Sequence, residues 1–137
     1  PYNSPTMNPV VHFEMSYADR DRVALFYQKT FNWHMQMLGP EMGEYVVAHT
    51  SETDAKGMIQ KPGMINGGFY KKQPKEEFNV PSVVIAVDSV EDTITKIEKN
   101  GGKVVNQPMD IPGIGRYASF VDTEGNRASI LKPEQPM

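Results

Sequence analysis

The sequence predicts an α+β protein made of two βαβββ modules. Three observations carry that prediction. First, an order of strand, helix and three strands runs through residues 8–70 and recurs through 81–133. Second, Pro9 and Pro81, 72 positions apart, each precede the opening strand of a half. Third, the charged, proline-flanked stretch 71–80 is the one convincing internal boundary and reads as a linker inside a single domain of 1–137. A repeat outranks local patterns as a guide to architecture. Each half yields a sheet with a helix over one face, and the second half can cover the face left bare. The expected product is an incomplete eight-stranded barrel with a concave cleft for a small molecule. The alternative is an ordinary α+β sandwich with no cleft.

The elements follow in chain order. Residues 10–15 alternate, with Val11, Phe13 and Met15 on one face and Val10, His12 and Glu14 on the other. Ser16-Tyr-Ala-Asp19 resembles a capping box, and Val23, Phe26, Tyr27 and Thr30 form a helical stripe over about 19–31. Residues 33–37 alternate as a strand, Gly39-Pro40 turns the chain, and 44–50 is the next strand. Residues 51–63 read as a long loop or a frayed strand pair, with Met58 and Ile59 suiting a lid over a cleft. A weak, glycine-containing strand covers 64–70.

In the second half, 82–87 is a strand, Ser89-Val-Glu-Asp92 is a second capping-box pattern, and Val90, Ile94 and Ile97 make a helical stripe. Asn100-Gly101-Gly102 reads as a helix C-cap. Strands are predicted at 103–107, 116–121 and 127–131, with 110–115 a loop and 122–126 a hairpin turn.

Composition removes several functional classes. The 137 residues include no cysteine, so disulfide frameworks and Cys-ligated metal sites are excluded. That suits a reducing cytoplasm. The net charge is −3, and Lys71, Lys72 and Lys75 are answered at once by Glu76 and Glu77, which argues against nucleic acid as a partner. No apolar run reaches the ~18 residues of a membrane helix. No signal-peptide core precedes the first strand, and Met7 reads as a natural start with residues 1–6 an upstream extension. No Gly-x-Ser-x-Gly elbow or phosphate-cradling loop occurs.

Certain residues resemble a known family. Pro9-Val-Val-His-Phe-Glu14, Phe26-Tyr27 and Phe31-Asn-Trp33 look like the opening of a glyoxalase-type module. Asn100-Gly-Gly-Lys-Val-Val105, Ile111-Pro-Gly-Ile-Gly-Arg-Tyr117 and Phe120-Val-Asp-Thr-Glu-Gly-Asn126 resemble its second module. The resemblance runs from about Asn8 to Pro133. It is to the vicinal oxygen chelate superfamily, the fold of glyoxalase I, bleomycin-resistance protein and extradiol dioxygenases, and within it to lactoylglutathione-lyase-like proteins.

The resemblance implies a divalent metal (Ni, Zn, Mn or Fe) held by one side chain from the first and last strand of each module, acting as a Lewis acid on a bound oxyanion. Carried over by position, the four places are His12, Gly68, Val84 and Ser129. Only His12 is a good ligand, so the site is expected to be incomplete and no cofactor is expected. One imidazole does not make a stable divalent site. A rewired site using His12 with Glu14, about 7 Å along the strand, or with His49 is the other possibility, and His34 sits on a neighbouring strand.

The remaining candidates have two readings each. His12 is a general base or a hydrogen-bonded structural histidine. Glu14 is an acid–base group, its pKa raised if it faces an apolar cleft, or a solvated strand residue. Trp33, Met35 and Met37 share a face that lines a ligand or packs in the core. Arg116 holds a ligand carboxylate or phosphate, or is an exposed hairpin arginine. Tyr117 and Ser129 complete the expected ligand-binding set.

Three functions follow. The first is a metal-free small-molecule-binding protein. The second is a lyase or isomerase of the lactoylglutathione lyase type, using His12 and Glu14 with or without metal. The third is a structural module. The resemblance also implies a homodimer.

Overall fold

The computed structural model describes residues 7–52, 54–55 and 63–134. The expectations for residues 1–6 and for Met58 and Ile59 lie outside the described residues. The chain is mixed α+β, and its described residues form nine strands and two α-helices. It divides into two compact units, residues 11–83 and residues 84–134 with 7–10.

In the first unit the order is β1 (Val10–Tyr17), α1 (Arg20–Phe31), β2 (His34–Met37), β3 (Val46–His49) and β4 (Asn66–Lys71), with a short 3-10 turn at Pro40–Met42. The strands lie in the order β2-β3-β4-β1. β1 and β4 are parallel, while β2–β3 and β3–β4 are antiparallel. Alternation puts Phe13, Met15, Tyr17, Val46, Ala48 and Phe69 on one face, where Val23 and Tyr27 of α1 cover them. His12 and Glu14 point to the other face, as the sequence pattern predicts.

Two local details differ from expectation. Ser16 stays in β1, and Asp19 is the N-cap of α1, its carboxylate accepting from the Arg22 amide at 3.0 Å. The buried face of α1 consists of Val23, Ala24 and Tyr27 rather than Phe26 and Thr30. Phe26 is 55% exposed and lies edge-on to Tyr27. A helix on a sheet needs only a narrow stripe, and Ala24 allows the close approach. The helix ends at Asn32, in the left-handed region at φ 61°.

The second unit contains most of β5 (Ser82–Ala86), then α2 (Val90–Lys99), β6 (Lys103–Val104), β7 (Met109–Ile111), β8 (Gly115–Val121) and β9 (Arg127–Pro133). β5 runs parallel to β9, and β9, β8 and β6 follow in antiparallel order. The expected loop at 110–115 carries a ninth strand, β7, pairing with β8. Eight strands become nine because the tight turn at 112–114, closed by the Ile114 amide donating to the Ile111 carbonyl at 3.0 Å, folds residues 109–111 back onto β8.

Ser89 caps α2, accepting from the Asp92 amide at 3.1 Å. Its expected stripe, Val90, Ile94 and Ile97, packs with Val87, Ala118, Ile130, Ile85 and Phe120. Tyr117, Ser119 and Ser129 therefore point away from the helix.

Candidate functional site

The first unit gathers three polar side chains on the sheet face opposite α1. Tyr45 donates to Glu14 Oε2 at 2.9 Å, and its hydroxyl lies 3.4 Å from His12 Nε2. Glu14 is only 8% exposed. His12 and Glu14 come to this face through simple alternation. Tyr45 arrives through the turn before β3: the Leu38 amide donates to the Tyr45 carbonyl at 2.9 Å, and the Tyr45 amide to Met42 at 3.3 Å. Gly43 and Glu44, at φ 65° and 55°, make that turn.

Gly68 explains why the ring fits. It stands opposite Glu14 in the β1–β4 register, and a Cβ at residue 68 would collide with the Tyr45 ring and hydroxyl. Tyr45 thus fills the room a side chain at 68 would take. Sequence reasoning missed Tyr45, since a tyrosine beside a turn carries no sequence sign that its hydroxyl reaches a strand two places away. Gly68 was the available hint, a missing side chain in a strand being a sign of close approach.

Electrostatics follow from burial. Desolvation, helped by the nearby His49, pushes the His12 imidazole down to about 4, so the ring is neutral at pH 7. His49 is also lowered, by burial and then by His34, which faces it across β2–β3. A neutral imidazole, a phenol and a buried carboxyl in one hydrogen-bonded chain can accept, relay or donate a proton, or grip a polar ligand group.

The second unit brings Tyr117 and Ser129 together and adds Ser119. Tyr117 Oη lies 2.7 Å from Ser129 Oγ, Ser119 donates to Tyr117 at 3.2 Å, and the two serine hydroxyls are 3.0 Å apart. Arg127 Nη2 donates to Ser119 Oγ at 3.2 Å. Ser119 is 0% and Ser129 1% exposed. Burying hydroxyls requires that they bond one another.

Two candidates are placed elsewhere. Trp33 packs on the α1 side, stacked on Tyr27 at 4.7 Å and tilted on Phe13 at 5.7 Å, away from His12 and Glu14. Arg116 is bridged to Glu91 at 2.6 Å and to Asp110 at 2.9 Å, so its guanidinium serves α2 and β7. That contact holds the Glu91 carboxyl below its usual range.

The metal question reduces to the donor set. The registers correct one position: His12 stands opposite Asn66, as Val84 stands opposite Ser129. The counterpart of Ser129 in the first unit is therefore Asn66, two residues before Gly68. Asn66 Oδ1 already accepts from the amides of Thr50 and Ser51, at 2.8 and 3.1 Å. The set is thus one imidazole, one engaged amide, one valine and one hydroxyl tied into a buried network. These residues do not fit a divalent ion. Among the described residues, no group of three or more His, Cys, Asp or Glu could hold one.

Comparison with known proteins places this geometry in a family. The model of the "Glyoxalase/Bleomycin resistance protein/Dioxygenase superfamily" matches residues 10–130. A glyoxylase-like domain-containing protein of Didymella fabae is 30% identical over 118 residues, 85% of this chain and 88% of that protein. Two proteins carrying the glyoxylase name CFP32, from Mycobacterium bovis and Mycobacterium tuberculosis, are 43% identical over 51 residues, and the match spans 20% of their length.

Among solved structures, a Streptomyces coelicolor methylmalonyl-CoA epimerase variant in complex with 2-nitronate-propionyl-CoA superposes with a TM-score of 0.65 at 15% identity, over 96% of this chain and 100% of that one. A hypothetical protein from Bacillus halodurans gives 0.65 at 16% identity, over 96% and 99%. At these identities the likeness concerns the fold. Family model, full-length relative and fold agree: the chain belongs to the glyoxalase/bleomycin resistance protein/dioxygenase superfamily.

Proposed function

We propose that the protein binds a small molecule on the His12–Tyr45–Glu14 face without the superfamily's divalent ion. The observation that carries this reading is Tyr45 seated over Gly68 and bonded to buried Glu14. A buried carboxyl and phenol kept in one hydrogen-bonded chain cost stability to desolvate, and on a sheet face they supply the convergent polar groups that a ligand site uses. Tyr117 and Ser129 are the second unit's own ligand-binding candidates. A homodimer and a cytoplasmic location belong to this proposal as the superfamily's common arrangement and the cysteine-free composition suggest them.

A panel of α-hydroxycarbonyl, acyl-thioester and aromatic amphipathic compounds, read by thermal shift, tests it. A hit that stabilises the protein and loses its effect in Tyr45→Phe and Glu14→Gln supports the reading. A panel without any hit, or a hit indifferent to both variants, removes it.

The neutral His12 favours a second reading, a metal-independent lyase or isomerase in which Glu14 and His12 move a proton α to a carbonyl. Exchange of that α-proton for deuterium, abolished in Glu14→Gln and His12→Ala, is its test. Exchange equal to the protein-free rate, with a ligand bound, leaves binding as the function.

A further inference from the structure

A second cluster of metal-type donors lies outside the positions the superfamily uses. His34 of β2 and His49 of β3 are directly opposed in the antiparallel register, so their side chains project from the same face. Their ring centroids are 5.4 Å apart. Two imidazoles bound to one ion through metal–nitrogen bonds of about 2.1 Å at a roughly tetrahedral or square angle put their centroids roughly 5 Å apart. The observed spacing matches that distance.

Gln36 sits two residues after His34, on the same face, and its Oε1 lies 3.4 Å from His49 Nε2. β2 is the outer strand of its unit, His34 is exposed and His49 half-buried, so an ion can enter and keep water on its open side.

We propose that His34 and His49, with the Gln36 carbonyl oxygen beside them, form a site for a divalent first-row transition ion. Two nitrogens and an amide oxygen leave the remaining positions to water. Such a set suits Cu²⁺ most and Ni²⁺ or Zn²⁺ less, following the general order of affinity for nitrogen donors. His34, Gln36 and His49 lie on the same sheet face as His12, toward the outer strand, and the site uses none of the His12–Tyr45–Glu14 hydrogen-bonded chain.

The test is a calorimetric titration of untagged, chelator-stripped protein with Cu²⁺ and then Ni²⁺ at pH 7.5, with Cu²⁺ paramagnetic resonance to count coordinated nitrogens. The expected result is one ion per chain, two imidazole nitrogens, and an affinity lowered about tenfold or more by either His34→Ala or His49→Ala. His12→Ala should bind as the parent does. His34→Asn, at an exposed position, serves as a second variant whose folding is checked by circular dichroism. Absence of stoichiometric binding overturns the proposal, as does binding that survives both histidine variants. Binding lost in His12→Ala and kept in His34→Asn also overturns it, placing the ion on His12 itself instead.

Discussion

Glu14, Tyr45 and His12 form a chain in which each group depends on the next. Removing the Tyr45 hydroxyl takes one donor from a buried carboxyl, and Tyr45→Phe is expected to lower stability by about 1–2 kcal/mol in urea unfolding. Gly68→Ala tests the same contact from below. The new methyl meets the Tyr45 ring, so the phenol must move, at a cost of about 1–3 kcal/mol. A Gly68→Ala protein as stable as the parent would mean that Tyr45 is not seated there.

His12 gives a pH dependence with a definite sign. Its native pKa, about 4, lies below the ~6.5 of an unfolded chain. Between those values the unfolded state binds more protons, so stability rises with pH. The contribution is complete above pH 6.5 and is lost as pH falls through 4. Over this window, unfolding free energies of the parent should fall by up to about 1.4 kcal/mol per pH unit more steeply than those of His12→Gln. Equal slopes would show that His12 titrates as a free imidazole.

At the scale of elements, helix starts were legible to different degrees. The capping pattern at Ser89 marks a true helix start because Ser89 is followed directly by an apolar stripe that packs, Val90, Ile94 and Ile97. The pattern at Ser16 misled because β1 continues to Tyr17, whose ring is in the core and whose hydroxyl donates to the Glu44 carbonyl at 2.7 Å. The helix then starts at the next competent cap, Asp19. Ser89→Ala and Asp19→Ala should each cost about 1 kcal/mol, while Ser16→Ala, which removes no cap, should cost less. Chemical denaturation of the three variants decides the order.

β7 was not legible at all. Three residues in a Gly- and Pro-rich stretch carry too little periodicity, and β8 supplies the hydrogen bonds that define them. Arg116 was visible as a charge, but only α2 and β7 in place give it Glu91 and Asp110 as partners.

For the molecule as a whole, function shows in global stability. A ligand that binds only the native state at a hundred times its dissociation constant stabilises by about 2.7 kcal/mol. For a domain of this size that is on the order of 10 °C in Tm. A true ligand of the His12 face should reach this shift in the parent and lose most of it in Tyr45→Phe. A compound that shifts parent and variant alike binds elsewhere.

The two-module α+β plan, the family and the sheet faces of His12 and Glu14 were legible in the chain alone. Each rests on local periodicity, on a repeat or on residue identity, all of which are written along the chain. Tertiary structure alone decided that Tyr45 stands over Gly68, that Asn66 rather than Gly68 is the counterpart of Ser129, and that Trp33 supports α1. It alone set His34 against His49. Those facts depend on strand register and on a turn that bends residues 38–45 back over β4. Register is settled by pairing between segments far apart in sequence, and a shift of one residue would exchange the two faces.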